Sequence, residues 1–173
     1  MVTRRQAGAA IALAVVWGLT MSGCTPQPEP APSASATGFA SDEEAFAAAE
    51  ATYRAYVDAT NARRLDPDSR PDPTDFLTGQ ALTDEGATNS TLDERGWRIV
   101  GDTLITSIRQ VAANPTSATL EVCLDSHSTK VVDAADRDVT PHDRVSVQAL
   151  DVTVRLDRVT PVISESTTSA NTC

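Results

Sequence analysis

Most of the residue types on which enzyme chemistry is built are scarce in this chain. Its 173 residues hold two histidines, three cysteines and one lysine, Lys130. His127 and His142 are too few for a zinc site. Asp125 beside His127 adds only a second ligand where zinc takes three or four. No Cys-x-x-Cys pair occurs, which argues against a thioredoxin-like redox centre. GxSxG, P-loop and dinucleotide fingerprints are also absent. Asp133, Asp136, Asp138 and Asp143 lie close together but lack the ordered spacing and distal Glu of a calcium loop, so they read as a solvated acidic segment. Hence no metal and no cofactor is expected. Basic residues number 14 against 24 acidic ones, for a formal charge of −10. Such a surface repels phosphate backbones, which disfavours nucleic-acid binding. With only three Phe, two Trp and two Tyr, the core must lean on Val, Leu, Ile and Ala. Beyond residue 23 no apolar run approaches the roughly 20 residues that a membrane span requires.

What is present begins at the N-terminus. Arg4 and Arg5 precede an uncharged stretch from Ala7 to Leu19, and small residues Ser22 and Gly23 precede Cys24. This is the three-part pattern of an export signal. Met21-Ser22-Gly23-Cys24 resembles the lipobox of bacterial lipoproteins. That resemblance implies cleavage after residue 23 and acylation of Cys24. The expected location is the extracytoplasmic face of the cell membrane, with lipid on Cys24 as the membrane partner. Gln6, Ala7 and Gly8 fit a twin-arginine signal poorly, so the general secretory route is the preferred reading. Loss of Arg4 and Arg5 with the signal takes the formal charge from −10 to −12.

Residues 24–40 form the expected linker. Pro26, Pro28, Pro30 and Pro32 alternate with other residues, and each proline fixes its own φ and disfavours helix in the residue before it. An extended tether results, reaching about 50 Å at roughly 3.1 Å per residue.

Residues 41–173 have the length of one domain. Ser41-Asp42-Glu43-Glu44 is a capping box, and Phe46, Ala49, Tyr53, Tyr56 and Val57 follow at helical spacing, so a helix is expected from Asp42 to about Ala62. A second helical stretch, unbroken or in two pieces, is expected from Asp75 to Arg95, with Gly96 as its stop. From Trp97 the period changes toward two. Leu120, Val122 and Leu124 alternate with polar neighbours, Lys130-Val131-Val132 makes a short strand, and Val162 to Thr168 makes the last. The phase of Val145, Val147 and Ala149 differs from that of Val152, Val154 and Leu156, which predicts a bulge near Leu150. Helices first and antiparallel strands after argue for α+β.

The tyrosine-bearing first helix, the further short helices and the curved sheet resemble the nuclear transport factor two-like family, the cone shared with ketosteroid isomerases. The stretches at 52–62, 96–108, 118–125 and 162–173 also resemble small lipoproteins of high-GC bacteria that carry this domain. The resemblance implies a pocket between the sheet and the first helix, with Tyr53, Tyr56, Asp58 and Asp102 as candidate lining residues. No motif carries a catalytic role onto any of them, so no catalytic residue is assigned.

With Cys24 given to lipid, Cys123 and Cys173 remain as an expected disulfide, with two free thiols as the alternative. Export favours the bridge, because disulfides persist outside the reducing cytosol. The leading expectation for function is a non-enzymatic domain that binds a small ligand or an envelope protein. A small-molecule isomerase or hydratase and an envelope assembly protein are the rivals.

Overall fold

The computed structural model describes residues 39–173. The expected signal segment, Cys24 and the linker up to residue 38 lie outside the described residues. Helix α1 spans Asp42–Leu65 and a 3-10 turn spans Pro73–Phe76. Helix α2 spans Gly79–Arg95. The strands are β1 (Arg98–Val100), β2 (Leu104–Asn114), β3 (Ser117–Asp125), β4 (Lys130–Val132), β5 (Val147–Arg155) and β6 (Val162–Thr168). Strands β2-β3-β5-β6 form one antiparallel sheet, and β1 pairs antiparallel with β4 in a second, two-stranded one. The fold is α+β, with helices packed on antiparallel sheet.

Helix α1 begins where its caps place it. Ser41 is extended, and its Oγ accepts the Glu44 backbone N–H at 3.2 Å. The Glu44 carboxylate reaches one residue further back than a capping box requires and accepts the Ala40 N–H at 3.1 Å. Ala45, Ala49, Tyr53 and Val57 are buried at every fourth position. They make one stripe that lies on the sheet. The facing surface is Ala118, Leu120 and Val122 from β3, Val152 and Val154 from β5, and Ile163 from β6. The small alanines at the start of the stripe let α1 approach the sheet closely.

Helix α2 is different in kind. Ala81 is its one buried residue. The helix therefore covers little core and leaves most of its surface open. Residues 73–95 separate into the 3-10 turn and α2 because Leu77 is extended and bridges to Ile163, and the Thr78 N–H donates to the Ile163 carbonyl at 2.8 Å. Gly96 ends α2 at φ 63°, and the Trp97 N–H donates back to the Leu92 carbonyl at 2.8 Å. That left-handed residue favours glycine.

The bulge expected near Leu150 is absent. Strands β3 and β5 pair in unbroken register from Ser117–Arg155 to Asp125–Val147. Irregularities fall instead in β2, between Ile105 and Ser107 and between Gln110 and Ala112, and at the β5–β6 pairing beside Thr153. The change of hydrophobic phase in β5 has another cause. Val152, Val154 and Leu156 face α1, whereas Ala149 lies on the other face beside Cys123, where the C-terminal tail covers the sheet. The Ser169 N–H donates to the Ala149 carbonyl at 2.9 Å, and Cys123 is bonded to Cys173 with their Cα atoms 5.7 Å apart. A strand covered on both faces shows no single alternation.

Candidate functional site

A cleft of about 540 Å³ opens between the C-terminal half of α1, the 67–74 loop, α2 and strand β1. Helix α1 supplies Tyr56, Thr60, Arg63 and Arg64, and α2 supplies Glu85, Thr88, Asn89, Leu92 and Asp93. Both sets follow helical spacing, so each is one face of its helix. Arg98 and Ile99 of β1 close the far side. A smaller cavity of about 380 Å³ lies on the sheet side of α2, against Tyr53, Leu124, Gln148 and Leu150. Tyr56, Glu85 and Thr88 line both spaces and form the wall between them.

The charged groups of the cleft are in different states. Arg63 pairs with Asp72 at 2.8 Å. Asp72 also caps the 3-10 turn by accepting from the N–H and hydroxyl of Thr74, and those bonds hold its carboxyl below the usual range. Arg98 pairs with Asp136. Glu85 accepts the Tyr56 hydroxyl at 3.4 Å. Burial, followed by the negative charge of Glu85, pushes the Tyr56 phenol up to about 12. A phenol with that pKa is a hydrogen-bond donor at neutral pH and a poor proton source.

Arg64 is held otherwise. Its Nη1 donates to Asn61 Oδ1 at 3.2 Å, the Gly101 carbonyl at 3.1 Å and Thr103 Oγ1 at 3.0 Å. Among the described residues no carboxylate lies within bridging distance of it. Burial draws its pKa down, against the opposing pull of Tyr56, Glu85 and Asp102, yet a guanidinium stays charged at any ordinary pH.

The structure separates the four pocket residues expected from sequence. Tyr53 is buried under α1 and lines the smaller cavity, and Tyr56 lines both spaces. Their rings are 6.0 Å apart and tilted. Asp58 is exposed and lies on neither cavity, because it follows the buried Val57 and so points about 100° away from the core stripe. Asp102 is also exposed, in the turn before β2, where its carbonyl accepts the Ser128 hydroxyl at 2.7 Å. Neither aspartate meets Tyr53 in a cavity. Sequence reasoning missed Arg64, Glu85 and Arg98. The spacing 56, 60, 63, 64 was a usable signal for the α1 face.

Among the described residues no group of three or more His, Cys, Asp and Glu side chains could hold a metal ion. His127 Nδ1 lies 2.7 Å from Asp125 Oδ1 at the end of β3. The acidic segment is engaged by neighbouring groups: Asp133 pairs with Arg137, Asp136 with Arg98, and Asp138 with Lys130 and Thr140. No helix among the described residues is long and apolar enough to cross a membrane.

No protein family and no curated protein matches the chain. Among solved structures, the fold is similar to the crystal structure of the intermembrane space region of the chloroplast protein ARC6. The match has a TM-score of 0.51 and 17% identity, and covers 71% of this chain and 95% of that one. At that identity the likeness is one of fold. It places the chain in an α+β class and leaves function to the site.

Proposed function

We propose that this chain is a lipid-anchored extracytoplasmic binding domain, tethered through Cys24 and presenting the cleft between α1 and α2 to a small ligand. The lipobox-like Met21–Cys24 supports the anchor, and the Cys123–Cys173 disulfide suits a compartment outside the reducing cytosol. The observation that carries the binding reading is the cleft itself. Its size is that of a small-molecule site, and Tyr56, Arg63, Asp72 and one side of Arg64 are held by hydrogen bonds or ion pairs while Leu92, Ile99, Pro67 and Pro73 supply apolar contact.

The enzyme reading draws on the Tyr56–Glu85 pair, which resembles an acid–base couple. The 3.4 Å separation and the raised Tyr56 phenol favour orientation of a ligand over proton transfer. Resemblance to the nuclear transport factor two-like cone fits the α+β fold and remains part of this proposal.

The experiment is fractionation of cells expressing the full chain and its Cys24→Ala variant, followed by capture of small molecules and proteins on the membrane-purified form. The expected result is membrane association that Cys24→Ala abolishes, together with a retained ligand or envelope protein. Tight membrane association of Cys24→Ala would end the anchor reading. Recovery of neither ligand nor partner would end the binding reading.

A further inference from the structure

The pairing of the charged groups, and not their sum, points to the chemistry of the ligand. Three guanidiniums, those of Arg63, Arg64 and Arg98, line the cleft together with three carboxylates, those of Asp72, Glu85 and Asp93. Asp72 neutralises the first and Asp136 the third. Arg64 is left half-buried with only its Nη1 engaged, by three oxygen atoms that carry no full charge. Its Nε and Nη2 have no partner among the described residues. Glu85 and Asp102 act on it through charge but neither bridges it. A charge withdrawn from water without a counter-ion is costly, and the free edge of a guanidinium is a two-donor fork that matches an oxyanion.

The rest of the lining fits the same ligand. Tyr56, Thr60, Thr88 and Asn89 line the cleft with donors already engaged on Glu85 and on helix carbonyls, so Arg64 is the donor left to an anion, and Leu92 and Ile99 offer apolar surface to a carbon skeleton. The Nη1 bonds to Asn61, Gly101 and Thr103 fix one side of the guanidinium in advance, so little conformational freedom is lost on binding. A ligand entering this cleft would complete the set of Arg64 partners.

We propose that the cleft binds a small organic oxyanion, carboxylate or phosphoryl, with Arg64 as its anchoring residue. This rests on the reading of the chain as a binding domain and is independent of the lipid on Cys24.

The test is calorimetric titration of the mature lipidated protein in non-ionic detergent. The probes are inorganic phosphate, glycerol 1-phosphate and succinate, with glycerol and trimethylammonium as uncharged and cationic controls. Saturable binding of at least one oxyanion is expected, and the phosphate and succinate arms distinguish the two chemistries. Arg64→Gln should raise the dissociation constant about tenfold or more, the usual effect of removing charged hydrogen bonds. Arg63→Gln, which breaks a pair already neutralised, should change it less. Arg64 also braces the Gly101 turn, so Thr88→Trp provides a second arm. Thr88 is exposed on α2, and a Trp there should fill the cleft and abolish binding with the Arg64 contacts intact. Absence of saturable oxyanion binding by the folded protein would overturn the proposal. Equal binding by wild type and Thr88→Trp would overturn it too. If oxyanions fail to bind while captured ligands or partners persist, the anion assignment falls and the binding-domain reading stands.

Discussion

Asn61 and Thr103 are joined by a reciprocal pair of hydrogen bonds: Asn61 Nδ2 donates to the Thr103 carbonyl and the Thr103 N–H donates to Asn61 Oδ1, each at 2.9 Å. A side-chain amide thus does for Thr103 what a neighbouring strand would. It ties the C-terminal turns of α1 to the start of β2 and sets the position of Arg64, whose Nη1 shares Asn61 Oδ1 and Thr103 Oγ1. Thr103 is buried, so both its backbone groups depend on Asn61. Asn61→Ala should therefore cost about 2 kcal/mol or more. Asn61→Asp, which keeps the acceptor and loses the donor, should cost less. Urea unfolding of the three proteins gives the comparison, and an unchanged midpoint for Asn61→Ala would remove Asn61 from this role.

Gly101 is the next fixed point. It has φ +83°, and a Cβ there would lie 2.1 Å from the Ser128 carbonyl oxygen. Its own carbonyl accepts from Arg64. Gly101→Ala should lose roughly 2 kcal/mol or more, because the strain and the clash with backbone act together. It should also weaken oxyanion binding by displacing Arg64. A thermal melt and a titration read the two effects separately.

The tail clamp allows a third prediction. The Cys123–Cys173 bond closes a loop across 50 positions, which corresponds to about 4 kcal/mol in the chain-entropy account. Beside it, the Ser169 hydroxyl donates to Glu121 at 3.2 Å and Asn171 donates to the same carboxylate. Reduction should lower the urea midpoint markedly and expose the 169–173 tail to carboxypeptidase. A reduced protein as stable as the oxidised one would show that the tail adds nothing to the fold.

The two tyrosines of the chain predict its alkaline limit. Burial, then the neighbouring Tyr56, raises Tyr53, and burial with the charge of Glu85 pushes Tyr56 up to about 12. In the unfolded chain both phenols lose their protons near 10. Below that pH both states keep the proton and the stability is full. Between about 10 and 12 only the unfolded state is deprotonated, so stability falls as pH rises. Absorbance near 295 nm should stay flat above pH 10 until unfolding begins, then rise in one step. Smooth titration of a folded protein near pH 10 would place the phenols in water.

The sequence made α1 legible because its N-terminal cap and its i, i+4 stripe agree on one element, although the helix runs past the expected end near Ala62 to Leu65 and takes in Arg63 and Arg64. Strand β3 was legible because one face alternates cleanly, and β6 because the Val159-Thr160-Pro161 turn precedes it, although its buried residues Val162 and Ile163 are adjacent. Strand β5 was legible as a strand but its change of phase was not, since a disulfide-bonded tail far along the chain covers its second face at Ala149. The cleft was half legible. Tyr56 came from helical spacing, but Arg64 and Glu85 lie 21 residues apart on two helices whose contact is a tertiary fact. Asp58 and Asp102 followed only from the resemblance to the cone family. Position relative to Val57 would have turned Asp58 outward, and nothing local marks Asp102 as a turn residue except Gly101 before it.

The intact mass of the protein taken from membranes tests the central claim most directly. The account predicts a chain that begins at Cys24, is heavier than its polypeptide by acyl chains, and takes up thiol reagent at two sites only after reduction. A chain that retains its first 23 residues with Cys24 unmodified, or that reacts at Cys123 and Cys173 without reduction, would contradict it.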